Sequence, residues 1–175
     1  QWFTRLEKLQ PIAVEALSKV EIIPPSGRQR LINNILGRSD WCISRQRVWG
    51  VPIPVFYNKE TDEPLITPQT LEHIQSIVRE HGTDAWWSMP IEKLLPADLR
   101  ADASKYRKGD DTMDVWFDSG SSWDAAVRER GLPLPADMYL EGSDQHRGWF
   151  QSSLLCAAAV TNQAPYKTIL SHGFV

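Results

Sequence analysis

Met138-Tyr139-Leu140-Glu141-Gly142-Ser143-Asp144-Gln145-His146-Arg147-Gly148-Trp149-Phe150 is the stretch whose reading decides the fold. Met138 to Glu141 reads as a strand, Gly142 to Asp144 as a tight turn, and Gln145 to about Thr161 as a helix with a long apolar run. Thr168 to Phe174 then reads as a second strand. Strand, turn, helix, strand is a βαβ unit, and it predicts an α/β fold built on a parallel sheet. In an open sheet of that kind, ligands sit beyond the carboxyl ends of the strands, where loops and helix N-termini converge. The polar turn after Glu141 is therefore the first place to look for chemistry.

Each residue of that turn has a use. Gly142 allows close approach of backbone, and Ser143 or Asp144 is suited to cap the following helix, whose positive end favours a bound anion. Gln145 and Trp149 share one helical face, so an amide and an indole are presented together. Glu141 and Asp144 supply two carboxylates, and ionised carboxylates accept hydrogen bonds from the adjacent hydroxyls of a ribose. Two other readings stand beside this one. Asp144 can simply cap the helix while Glu141 pairs with Arg147, or Glu141, Asp144, His146 and His172 can gather round a metal, although no spacing here matches a two-histidine motif.

Working upstream, Asp114 to Phe117 reads as another short strand, Ser119 to Ser122 as a turn and Trp123 to Arg130 as a helix. Trp116 would thus stand at a second strand end. Together with Trp149 it forms a rigid apolar slot suited to a branched aliphatic side chain, unless both indoles are core residues. Eight tryptophans in 175 residues are far more than usual, and several stand beside polar clusters instead of inside apolar runs, where such rings often wall binding pockets.

The remaining segments frame these two. Phe3 to Val20 has a helical period interrupted by Pro11, which predicts one or two helices. Arg28 to Leu36 reads as a further helix with Gly37 at its C-terminal cap. Trp41 to Tyr57 carries the polar cluster Ser44-Arg45-Gln46-Arg47 and then a proline-spaced extended run. Between Asn58 and Tyr106 the texture changes: Thr67 is placed to cap and Pro68 to open a helix to His81, and charged residues follow. The segments expected are 1–57, an inserted α+β subdomain over 58–106, and 107–175.

Composition narrows the function classes. A net charge of -3 with 42% hydrophobic residues belongs to a globular chain. Leu154 to Val160 is far shorter than the roughly 20 apolar residues of a membrane-spanning helix, so a membrane role is not expected. Cys42 and Cys156 lack metal-ligand spacing and suit small buried residues in a reducing cytoplasm. Arg28, Arg30, Arg38, Arg45 and Arg47 against Asp40 alone give the mildly acidic chain a basic stretch, able to face phosphates or simply solvent.

Three motifs, WCISRQRVWG at Trp41 to Gly50, DTMDVWFDSG at Asp111 to Gly120 and YLEGSDQHRGWF at Tyr139 to Phe150, resemble the catalytic domain of the class I isoleucyl-tRNA synthetases. Their order and the final SHGFV at Ser171 to Val175 fit as well. The resemblance implies the second part of a Rossmann-type parallel-sheet catalytic domain and a parent enzyme that joins isoleucine to ATP, with Mg²⁺, and passes the isoleucyl group to tRNA(Ile). It implies that Glu141, Gly142 and Asp144 hold the adenylate ribose and that Gln145 reaches the aminoacyl or phosphate oxygens. Trp116 and Trp149 would flank the isoleucine side chain. His172, Gly173 and Phe174 would lie beside the adenosine, and Arg45 and Arg47 near the acceptor end of tRNA.

Neither a His-Ile-Gly-His nor a Lys-Met-Ser-Lys-Ser signature occurs in these residues, so the phosphates are expected to be handled elsewhere in a longer chain. The editing domain is expected ahead of residue 1 and the anticodon-binding helices after residue 175. The competing expectations are a non-catalytic nucleotide- or RNA-binding module, and a structural segment inactive by itself.

Overall fold

A computed structural model describes residues 1–174, so Val175, the last residue of the SHGFV motif, lies outside the described residues. In chain order the elements are β1 (Phe3–Arg5), α1 (Leu9–Ser18), β2 (Glu21–Ile23), α2 (Ser26–Leu36), β3 (Asp40–Cys42), β4 (Ser44–Arg45), β5 (Phe56–Asn58), β6 (Pro64–Leu65) and α3 (Pro68–His81). There follow α4 (Ala85–Ser88), α5 (Ile91–Leu94), a 3₁₀ stretch over Ala97–Lys105, β7 (Tyr106–Lys108), β8 (Thr112–Met113) and α6 (Val115–Gly120). A π-helical turn over Trp123–Arg128, β9 (Ala136–Gly142), a 3₁₀ turn over Ser143–Arg147, α7 (Trp149–Thr161) and β10 (Tyr166–His172) complete the chain. The elements form two compact units, one from Gln1–Ile43 together with the chain from Asp114, the other Ser44–Met113.

The first unit holds the βαβ element. Its three-stranded sheet has the order β2-β10-β9, and β10 runs parallel to both neighbours. Register pairs Ser171 with Glu141 and His172 with Gly142, so the two strands end side by side. Helix α7 is apolar on nearly every face, which is the composition of a helix buried on all sides. Phe150, Leu154, Leu155 and Ala158 of α7 pack into one core with Leu17 of α1, Leu31 and Ile35 of α2 and Ile169 of β10. Arg28 and Gln10 use side-chain donors to satisfy carbonyls left over at the ends of α1 and α2: Arg28 Nη1 reaches Leu17 O at 2.7 Å, and Gln10 Nε2 reaches Ile35 O at 3.1 Å.

Four local expectations are corrected in this unit. Phe3–Arg5 is a strand, paired antiparallel with Asp40–Cys42, so the helix begins only at Leu9 and Pro11 falls in its first turn, where the missing N–H has no helical partner to lose. Asp114 to Phe117 is not a strand: the chain is extended only through Thr112–Met113, and Val115–Gly120 is helical. The β-branched and aromatic trio Val115-Trp116-Phe117 suggests a strand by propensity, but packing overrides it. Gly120 brings α6 so close to α7 that an added Cβ would stand 2.8 Å from Ser152 O and 2.9 Å from Cys156 Sγ. Finally, Gln145 lies in the 3₁₀ turn, with α7 starting at Trp149, and β10 ends at His172, leaving Gly173 and Phe174 beyond it.

The second unit has its own core of Phe56, Ile74, Trp86, Leu94, Leu95 and Ala103. Strands β6, β5 and β7 form an antiparallel sheet and β4 pairs with β8. Helix α3 begins as its sequence predicts: the Thr67 hydroxyl accepts from Thr70 N while Thr70 Oγ1 accepts from Thr67 N, with Pro68 in the first turn. Lys108 closes α4 by donating to the carbonyls of Trp86, Trp87 and Met89 at 2.8, 3.1 and 2.9 Å, and its burial lowers its pKa. Among the described residues no helix is long and apolar enough to cross a membrane.

Candidate functional site

At the carboxyl end of β9, in the first unit, a hollow of about 480 Å³ is lined by Trp116, Ser119, Ser122, Glu141, Gln145 and Trp149. It lies where the rule for parallel sheets puts ligands. Glu141 is the penultimate residue of β9 and exposed, with its Oε2 accepting from Gly142 N at 3.3 Å. Gly142 leaves room for the neighbouring carboxylate, since a Cβ there would stand 2.6 Å from Asp144 Oδ1. Asp144 is exposed and accepts from Gln145 Nε2 at 3.2 Å.

Gln145 works in two directions. Its Oε1 accepts from Trp149 N at 2.9 Å, satisfying one of the unpaired donors at the start of α7, while its Nε2 holds Asp144. The helix is therefore tied by Gln145 and not by Ser143 or Asp144, whose side chains make no capping bond among the described residues. No ion pair joins Glu141 to Arg147 among the described residues. Both carboxylates thus remain directed to solvent at the rim, available to donors on a ligand. His146 is turned inward, 2% exposed, with Nδ1 bonded to Ser143 O at 2.7 Å, and no three of His, Cys, Asp and Glu converge on a metal among the described residues.

The walls are aromatic. Trp149 stacks on Tyr139 with ring centroids 3.9 Å apart and planes 10° from parallel. Its Nε1 donates to Ser119 O at 3.0 Å and Ser122 Oγ at 3.1 Å. Trp116 faces the same hollow from α6 and is 41% exposed. Burial pushes the Tyr139 hydroxyl above its ordinary pKa, with the hydroxyls of Ser153 and Ser122 pulling the other way, and burial also raises Asp118, aided by the charge of Asp114. An apolar slot with a carboxylate and an amide at its mouth is built to hold an aliphatic group at one end and a polyhydroxylated or polar group at the other.

Six of the predicted residues, Trp116, Glu141, Gly142, Asp144, Gln145 and Trp149, thus meet at or beside one hollow. His172 joins them at the strand end, 3.9 Å through its Cε1 from where a Gly142 Cβ would be, with its Nδ1 bonded to Gly173 O at 2.6 Å. Gly173 and Phe174 extend beyond it, exposed. Arg45 and Arg47 belong to the other unit, Arg45 in β4 with Nη1 bonded to Ser44 O at 2.7 Å, Arg47 exposed in the following loop. Ser119, Ser122 and Tyr139 were missed as site residues. Reading Asp114 onward as helix would have found Ser119, three residues from Trp116 on the same face.

The sequence profile of the tRNA synthetases class I (I, L, M and V) matches residues 1–175. Among curated proteins, the isoleucine--tRNA ligase of Rippkaea orientalis is 60% identical over 176 residues, covering 100% of this chain and 18% of that protein. Those of Crocosphaera subtropica and Synechocystis sp. are 60% and 58% identical with the same coverage. The chain thus spans about a fifth of the length of the curated relatives it matches. A LeuRS of Agrobacterium radiobacter K84, solved as a ternary LeuRS-tRNA-LeuAMS complex, superimposes with a TM-score of 0.50 at 18% identity, covering 78% of this chain and 20% of that one. That likeness speaks to the fold alone.

Proposed function

Because the chain belongs to the class I tRNA synthetases, we propose that it is part of an isoleucine–tRNA ligase and supplies one half of the isoleucyl-adenylate pocket. In the complete enzyme the isoleucine carboxylate attacks the α-phosphorus of ATP, the bond to pyrophosphate breaks, and the acyl group then passes from AMP to a hydroxyl of the terminal ribose of tRNA(Ile). ATP enters as its Mg²⁺ complex, so magnesium is counted with the substrate. No protein nucleophile is required, and the protein's work is positioning and charge stabilisation.

The hollow carries this reading. Trp116 and Trp149 flank the isoleucine side chain, Glu141 and Asp144 with the Gly142 backbone hold the ribose, and Gln145 reaches the aminoacyl or phosphate oxygens. His172, Gly173 and Phe174 lie beside the adenosine. Arg45 and Arg47, in the unit Ser44–Met113, contact the acceptor end of tRNA. In this reading the first unit is the second part of a Rossmann-type domain, the second unit is an insertion whose connective part spans 58–106, flanked by 1–57 and 107–175, and the enzyme acts in the cytoplasm.

The test replaces the matching segment of the Rippkaea orientalis ligase with this one and follows isoleucine-dependent ATP–pyrophosphate exchange. Exchange should persist in the chimera and fall at least 100-fold in its Glu141→Ala/Asp144→Ala variant, since two charge-assisted contacts are lost. An active variant would remove the carboxylates from the adenylate site. Loss of exchange in the unmutated chimera with RNA binding intact would favour a non-catalytic binding module.

A further inference from the structure

The two indoles of the hollow are held very differently. Trp149 is stacked on Tyr139 over one face and bonded through Nε1 to Ser119 O and Ser122 Oγ at its edge. A tryptophan side chain has two torsions, and a stack plus an edge bond fixes both. The supports are themselves anchored. Tyr139 is 5% exposed and lies 4.7 Å from Tyr166, whose hydroxyl donates to Phe150 O at 2.9 Å. The Ser122 hydroxyl donates to Ser119 O at 2.7 Å, which turns a lone pair toward the indole N–H. The Trp116 indole makes no hydrogen bond among the described residues, the residue is 41% exposed, and its ring is held only by packing, with Cη2 3.1 Å from where a Gly148 Cβ would stand.

A fixed wall matters because isoleucine and valine differ by one methylene. A mobile indole would close on valine and recover the lost contacts, whereas an immobile one leaves a methyl-sized void whose lining atoms have no partners. Resting on the reading of Trp149 as a wall for the isoleucine side chain, we propose that Tyr139 and Ser122 are specificity-determining positioning residues: by locking the plane of Trp149 they prevent the pocket from shrinking onto valine. Trp116 is then the adaptable wall that admits the side chain.

The experiment uses the active chimeric ligase described above and compares isoleucine with valine in ATP–pyrophosphate exchange. Tyr139→Leu should lower the isoleucine-to-valine ratio of kcat/KM about 3- to 10-fold, the value of one aromatic pair, and Ser122→Ala about 2- to 5-fold, the value of one hydrogen bond. The change should appear mainly as a lower KM for valine, with the KM for ATP unchanged. Tyr139→Phe, which keeps the stack, should hold the ratio within about twofold. Trp149→Ala serves as the control for the pocket. If it alters the ratio while Tyr139→Leu and Ser122→Ala do not, the positioning role is overturned and the pocket stands; if it alters neither the ratio nor the KM for isoleucine, the pocket reading fails and this inference with it. Should Tyr139→Leu fail to fold by thermal melting, Ser122→Ala, at a half-buried site, decides the matter alone.

Discussion

The two rims of the hollow show two ways of placing an indole. On the β9–α7 side Trp149 is set by direct bonds: a stack, two acceptors and an amide at its backbone nitrogen. On the α6 side Trp116 is set by packing: its ring tip Cη2 lies 3.1 Å from where a Gly148 Cβ would stand, and its helix sits where Gly120 lets it approach Ser152 O and Cys156 Sγ. One rim is specified by hydrogen bonds and the other by the absence of a side chain. The difference teaches where each is vulnerable. The first fails piecemeal as bonds are removed, while the second depends on one packing seam.

That seam has a built-in reporter. Burial pushes the Cys156 thiol from its ordinary value of 9.0 up to about 12, and its sulfur lies against Gly120. At pH 8 a thiol of pKa about 12 is thiolate in roughly one molecule in 10⁴, against roughly one in ten at the ordinary value. Alkylation of Cys156 by iodoacetamide, followed by mass spectrometry, should therefore be about 1,000-fold slower in the folded chain than in urea. The sign for stability follows. The native state keeps its proton while the unfolded chain loses it, so stability contributed by the thiol is intact below about pH 9 and is lost as pH rises toward about 12. Fast labelling at pH 8 would mean that α6 lifts from α7, and the contrast between the rims would be one of order against disorder.

Gly120→Val breaks the comparison by force. Its new side chain meets backbone, which cannot rotate away, so we expect a loss of about 3 kcal/mol in urea unfolding and faster labelling of Cys156. Unchanged stability would mean that the seam is soft and that Trp116 is placed by something else.

The same contrast explains what was legible in the sequence. The β9 rim could be read because its chemistry is local: Glu141 to Trp149 run from the end of β9 through one turn to the start of α7, and the βαβ pattern places that turn at a strand end. Thr67 and Pro68 announced α3 for the same reason. The α6 rim could not be read from Val115-Trp116-Phe117, whose composition suits a strand, because its helix is decided at a distance. Asp114, which precedes it, is 3% exposed and accepts from Trp41 Nε1 at 3.0 Å, across 73 residues of sequence. Ser119, Ser122 and Tyr139 were missed accordingly: their role exists only once α6 and β9 are brought together. Phe3–Arg5 likewise became a strand through a partner 35 or more residues away.

The smallest effect gives the sharpest comparison, because the same substitution can be made on both rims. Trp149→Phe keeps an aromatic face for Tyr139 but removes the N–H that Ser119 and Ser122 accept, and should cost about 1 kcal/mol in urea unfolding. Trp116→Phe removes an N–H that makes no hydrogen bond among the described residues, from a residue already 41% exposed, and should change stability by no more than about 0.5 kcal/mol. The difference between the two variants measures how much more firmly one wall is held than the other. Equal costs would show that Trp116 has an anchor of its own, and both walls would then have to be counted as fixed.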